Sequence, residues 1–209
     1  MGAPESPGIA GILLAAGRGT RFGGDKLLAR LASAPQDAGR GGECVGTLAC
    51  RHLLEALPRV VAVVRPEDAA LAAALGAAGA RVVRCANAVE GLGASIACGV
   101  RAAPDARGWI VALADMPWIE PATIARVAAA IAHGATVAAP YHRAQRGHPV
   151  GFGVTCYAAL SVLTGDEGAK SVVGAFGDDL ARIEVDDAGT LRDIDWRDDL
   201  HREPPARRA

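Results

Sequence analysis

The feature that most constrains this chain is an alternation. Short β-branched or leucine-rich runs follow one another along it, separated by alanine-rich stretches of helical spacing. "IAGILLA" (9–15), "RVVAVV" (59–64), "ARVVR" (80–84), "WIVALA" (109–114) and "ATVAAP" (135–140) read as strands. Between them "GTLACRHLLEALP" (46–58), "PEDAALAAALGAAG" (66–79), "GASIACGVRAA" (93–103) and "PATIARVAAAIAHG" (121–134) read as helices, two of them opening on a proline. Strands that are apolar throughout are covered on both faces. Alternation with helices then predicts an α/β fold, a Rossmann-like, doubly wound and mostly parallel sheet with helices on both faces. After Pro140 the pattern loosens. "HPVGFG" (148–153) predicts a short strand, 157–163 and 170–176 predict helices, "ARIEVD" (181–186) a late strand and "WRDDLHR" (196–202) a short final helix.

At 209 residues the chain suits one domain, expected over 8–201, with 202–209 as a flexible tail and 33–43 as a mobile surface loop. Composition narrows the function. A net charge of −1 excludes the broad basic face that nucleic-acid binding needs. No apolar run approaches the roughly 20 residues of a membrane span, so neither nucleic acid nor membrane is an expected partner. Five dispersed cysteines without a C-x-x-C pair predict reduced thiols and a cytoplasmic protein rather than a zinc site.

A parallel sheet binds ligands at the carboxyl ends of its strands, so the loops after Ala15, Ala114 and Pro140 carry the expected chemistry. The first is "GILLAAGRGTRFGGDK" (11–26). Its glycines let backbone amides approach an anion, and Arg18, Arg21 and Lys26 can neutralise phosphate oxygens. It is not a Walker loop, because Asp25 separates Gly24 from Lys26. It is not the dinucleotide fingerprint either, because Phe22 stands where the third glycine belongs. In "VALADMP" (111–117) an apolar strand ends on Asp115, placed to ligate Mg²⁺ or to cap a turn. In "LRDIDWRDDL" (191–200) Asp193 and Asp195 share one face of an extended segment, although Asp195 could also cap the last helix. Gly93 and Ser95 open a helix whose free amides can hold a phosphate or hydroxyl. "YHRAQRGHPVGFG" (141–153) clusters two histidines and two arginines suited to an anionic second substrate.

Six of these stretches, "LLAAGRGTRFGGDKLL", "EGLGASIACGV", "VALADMP", "QRGHPVGF", "TGDEGAKSVV" and "RDIDWRDDL", occur in the order found in the nucleotidyltransferases of molybdenum cofactor synthesis. From Ile9 to Leu200 the chain resembles the cytidylyltransferases of that family, with the guanylyltransferases as sister group. The resemblance implies attack by the terminal phosphate of molybdopterin on the α-phosphate of a nucleoside triphosphate, CTP being the expected one, with release of pyrophosphate. It implies that Leu14, Ala15, Ala16 and Gly17 lie against the base, and that Gly19, Arg21 and Lys26 hold the triphosphate. Gly93 and Ser95 complete the nucleotide site. Lys26 and Asp115 are the implied catalytic residues, and Asp115 and Asp195 the implied ligands of Mg²⁺ or Mn²⁺. Arg146, Gly147 and His148 would face the pterin, and a molybdoenzyme maturation protein is a further implied partner. The alternatives are a guanylyltransferase, a nucleotidyltransferase of the same fold acting on a sugar or alcohol phosphate, and a non-catalytic carrier of the cofactor. One stretch departs from the pattern. Relatives follow the lysine with a short G-x-P-L-L hairpin, and here "SAPQDAGRGGE" stands there instead.

Overall fold

The computed structural model describes residues 8–32 and 42–202. Most of the expected surface loop (33–41) and nearly all of the expected tail (203–209) lie outside the described residues.

The strands are β1 (Ile9–Leu14), β2 (Val60–Val64), β3 (Arg81–Arg84), β4 (Gly108–Leu113), β5 (Val137–His142), β6 (Gln145–Arg146), β7 (Val150–Gly153) and β8 (Ala181–Glu184). The main helices are α1 (Val45–Ala56), α2 (Ala69–Ala77), α3 (Leu92–Arg101) and α4 (Pro121–Ala132). Two short ones, α5 (Tyr157–Leu160) and α6 (Lys170–Gly174), follow β7. They form a single α/β domain around one sheet of order β3-β2-β1-β4-β7-β5-β6, with β8 paired to β5.

Strand periodicity sorts the core. Along β1, Ala10, Ile12 and Leu14 point to one face, where α3, α5 and α6 add Ile96, Leu160 and Val172. Leu13 and Ala15 point to the other, where α1, α2 and α4 add Leu53, Leu75 and Val127. Every residue of β2 is buried for this reason. Helix ends follow the local sequence. Leu57 precedes Pro58 and adopts φ −134°, ψ 135°, because the proline ring disfavours a helical predecessor, and α1 stops there. Helix α2 begins at Ala69 rather than at Pro66: a turn closes first, with Asp68 N donating to Arg65 O and the Arg65 guanidinium donating to the Asp68 carboxylate at 2.8 and 2.7 Å.

The sheet is mostly parallel, with two short antiparallel strands, β6 and β7. β1, β2, β3 and β4 run parallel, but β7 runs antiparallel between β4 and β5. The reason is the short hairpin at Arg143 and Ala144, both at positive φ (50° and 62°), which returns the chain through β6. A connection that short can only join antiparallel strands.

Helix α3 lies close on the sheet at Gly99. A Cβ there would run into Ile12 Cγ2 and lie 3.0 Å from Val63 Cγ2. Gly99→Ala is therefore expected to destabilise the fold by about 1–3 kcal/mol, as overpacked cores do. Chemical denaturation checks it, and an unchanged midpoint would show that α3 lifts off the sheet freely.

Candidate active site

The chain order reverses around β1, whose neighbours β2 and β4 lead to opposite edges of the sheet. Ligands gather at the carboxyl side of such a reversal. Three segments converge there.

The first is the glycine loop. Ala15 N donates to Val63 O and Ala114 N to Leu14 O, so the sheet holds the loop's entry. Beyond it the chain turns tightly at Gly19 (φ 56°), whose carbonyl accepts from the amides of Phe22 and Gly23. Phe22, in place of a third glycine, is the loop's anchor. It is buried, and Arg197 stacks over its ring at 5.0 Å. The amides of Ala16, Gly17, Arg18 and Gly19 meet no hydrogen-bond partner among the described residues. The loop ends in a 3-10 turn, Lys26–Leu28.

The second segment is the end of β4, which delivers Asp115. The third is 193–195. Ile194 N donates to Asp115 O at 2.9 Å and the Ile194 side chain is fully buried. Its neighbours Asp193 and Asp195 therefore point the other way, toward Asp115. Carboxylate oxygens of Asp115, Asp193 and Asp195 all lie within 4.8 Å of one another. Two buried aspartates brace this region, Asp199 the segment itself and Asp187 the turn before it. Asp199 Oδ2 accepts from the amides of Asp195 (2.9 Å) and Trp196 (2.7 Å). Asp187 accepts from the amides of Gly189 and Glu120. Burial alone would raise Asp199. The donations from Trp196 and Asp195, with Arg202 and Arg192, outweigh it and hold the carboxyl below its ordinary value. Asp195 is thus a recipient of capping rather than itself the cap of the final turn, Arg197–His201.

Lys26 stands at the meeting point. Its ammonium donates to Asp115 Oδ2 at 2.7 Å and to Asp195 Oδ1 at 3.4 Å, and its side chain is only 11% exposed. Arg21, largely exposed, donates to Asp195 Oδ2 at 2.9 Å. Lys26 and Arg21 thus supply the positive charge that offsets these carboxylates. Asp193 has its carboxyl pushed up, first by burial and then by Asp195 and Asp115, with Lys26 opposing.

Beside this cluster opens a cleft of about 610 Å³. Leu14, Ala16, Gly17, Gly19, Lys26, Ser95 and Asp115 all line it. Ala15 faces the opposite side of the loop and borders a smaller cleft of about 320 Å³. The amide of Gly93 donates to Gly165 O at 2.8 Å and the residue packs against Thr164, so it fixes the cleft's wall. Ser95 Oγ donates to Gly91 O at 3.5 Å. The cleft also draws on Arg65, Cys85 and Asp166, which the sequence reading passed over. Arg65 and Cys85 follow the ends of β2 and β3, so the rule that located Asp115 could have found them.

In the loop expected to face the second substrate, Arg146 is exposed at the end of β6. Gly147 N donates to Pro140 O and His148 N to Thr190 O, each at 2.9 Å. The first ties the loop to β5 and the second docks it on the turn that leads to Asp193. His148 Nδ1 is buried with no hydrogen-bond partner among the described residues. Burial pushes its pKa down, the Asp115 carboxylate opposes and Arg146 reinforces, so the ring is neutral near pH 7.

A glycine loop with open amides, a cation and facing carboxylates, at a parallel sheet's switch point, is an arrangement suited to a nucleoside triphosphate. The chain belongs to the MobA-like NTP transferase domain family, whose model matches residues 11–180. Among curated relatives it is 31% identical over 203 residues to the purine catabolism protein PucB of Bacillus subtilis (strain 168), covering 91% of this chain and 93% of the relative. It is 28% identical over 210 residues to nicotine blue oxidoreductase of Paenarthrobacter nicotinovorans, covering 97% and 99%. Among solved structures, Rv0371c from Mycobacterium tuberculosis H37Rv aligns with a TM-score of 0.74 at 26% identity over 93% of this chain and 96% of that one. The same mycobacterial protein is also known in a complex with manganese (TM-score 0.64, 25% identity, 85% and 88% covered). A nucleotidyl transferase from Methanothermobacter thermautotroptrophicus aligns with a TM-score of 0.74 at 25% identity, covering 91% and 93%. No helix among the described residues is long and apolar enough to cross a membrane.

Proposed function

We propose that this nucleotidyltransferase moves CMP from CTP to the terminal phosphate of molybdopterin and releases pyrophosphate. The observation that carries the reading is the placement of Lys26 and Asp115 at the mouth of a cleft floored by a glycine loop with unpartnered amides. The amides of residues 16–19 bind phosphate oxygens, and Gly19 at positive φ allows their close approach. Lys26 neutralises charge developing on the α-phosphate and the departing pyrophosphate. A phosphate oxygen of the acceptor forms the new bond to the α-phosphorus as the bond to the β-phosphate oxygen breaks. The nucleophile is already an anion, so no side chain need take a proton. Arg21 meets the triphosphate at the loop's outer edge. Arg146 and the neutral His148 ring, beside Asp115, hold the acceptor.

The donor set fits a hard divalent cation, since Asp115, Asp193 and Asp195 present only oxygens within one small space. Asp115 and Asp195, with Asp193 beside them, would hold Mg²⁺ or Mn²⁺, which supplies positive charge to the phosphates when bound. All five cysteines are free thiols, which supports a reducing cytoplasm as the place of action. A molybdoenzyme maturation protein would receive the product.

CTP is favoured over GTP because Ala16 lines the cleft at the position where the sister guanine users commonly carry a second glycine, which leaves room for the larger purine. Competition between the two nucleotides is expected to favour CTP by about tenfold or more, the scale of a steric misfit in a base pocket. Ala16→Gly is expected to narrow the gap. A clear preference of the parent for GTP would place the chain with the guanylyltransferases.

A further inference from the structure

The Lys26 ammonium sits where a divalent cation would. It is 2.7 Å from Asp115 and 3.4 Å from Asp195, the two carboxylates assigned to the metal. One set of oxygens cannot serve both an ammonium at these distances and a dication that binds at about 2.0–2.2 Å, because the two cations would repel at close range. Resting on the function proposed above, we propose that Lys26 is an exchangeable counter-cation: it competes with the metal for Asp115 and Asp195, and the triphosphate admits the metal by drawing Lys26 away.

The surroundings suit such an exchange. The stem of Lys26 passes close to Gly19, where an added Cβ would lie 3.3 Å from Lys26 Cβ. The ammonium lies beyond that contact, at the end of a flexible chain that can swing about it. The destination is next door: the open amides of residues 16–19 line the same cleft, so a phosphate seated on them offers Lys26 a stronger anion than one carboxylate. Arg21 performs the same service on the outer oxygen of Asp195, but it is 68% exposed and therefore screened. The consequence is an order of events. Bare metal binds weakly, nucleotide binding frees the carboxylates, and the competent substrate is the metal–nucleotide complex. Without such an exchange Lys26 would have to act on phosphate from a position locked to Asp115.

Mn²⁺ titration followed by the electron paramagnetic resonance of the free ion, with no nucleotide present, tests this directly. Lys26→Met is expected to bind Mn²⁺ about tenfold or more tighter than the parent, the scale on which one close charge shifts the equilibria of a carboxylate. Lys26→Arg keeps the charge and is expected to bind as weakly as the parent. A fold control comes from thermal melts, in which added Mn²⁺ should raise the midpoint of Lys26→Met more than that of the parent. Equal or weaker Mn²⁺ binding by Lys26→Met overturns the proposal, as does equal binding by Met and Arg variants. The double variant Lys26→Met/Asp115→Asn separates the two levels of the account. If it binds weakly while Lys26→Met is no tighter than the parent, the counter-cation idea alone falls. If Asp115→Asn leaves Mn²⁺ binding unchanged in both backgrounds, the metal assignment falls with it.

Discussion

Lys26→Ala is expected to lower turnover about 10²–10³-fold while the far-ultraviolet circular dichroism stays that of the parent, the usual cost of losing one preorganised charge at a transition state. Lys26 begins a short 3-10 turn, and its ammonium is held by side chains rather than by the backbone, so the secondary structure is expected to survive its loss. Its removal also leaves Asp115, Asp193 and Asp195 facing one another without their nearest cation. The variant should therefore respond more strongly to metal than the parent does, in melting temperature as well as in rate. Steady-state pyrophosphate release and thermal melts in the same buffers measure both effects. Turnover within about threefold of the parent, under about 1 kcal/mol of barrier, would remove Lys26 from the transition state and leave it a structural partner of the aspartates.

Asp115→Asn and Asp195→Asn are each expected to cost about 10²-fold or more in rate, and the double variant little more than the worse single one. Residues that act as one unit are strongly non-additive. The expectation rests on the way separate parts of the chain bring them together. Asp115 comes from the end of β4, Asp195 from a segment pinned to it by Ile194 N and held by Asp199, and Lys26 bridges both. Asparagine keeps the shape and removes the charge, so the loss reports electrostatics rather than packing. Titration of Mg²⁺ against rate in the three variants measures it. Additive losses, or an unchanged metal dependence in both single variants, would separate the two carboxylates and leave Asp195 a structural residue.

Some of this was legible before any coordinates. β2 reads as apolar throughout because both of its faces are covered, and that alone points to the parallel core. The glycine loop's place at the cleft was legible because Gly17, Gly19 and Lys26 follow directly on β1. Asp115 was legible because it ends an apolar strand. The antiparallel course of β7 was not, since it depends on non-glycine residues, Arg143 and Ala144, entering a turn that usually selects glycine or asparagine. Asp193 was visible only as half of a two-apart pair, and its place among the carboxylates follows from the burial of Ile194 between them. The docking of Gly93 on Gly165 was hidden for a different reason: it joins helix α3 to a distant loop, and no periodicity records that contact. Nor does any pattern in the chain reveal that Lys26 rests on two carboxylates rather than waiting in solvent, because the partners lie far away in sequence and meet only through the sheet.

The central claim is nucleotidyl transfer to a pterin phosphate, and pyrophosphate release measures it most directly. The parent should release pyrophosphate from CTP with Mg²⁺ only when molybdenum-loaded molybdopterin is added, in amounts equal to the dinucleotide formed, and more slowly from GTP. Release that ignores the pterin, or binding of both ligands with no pyrophosphate formed, would contradict the account and leave a carrier or a transferase for a different phosphate.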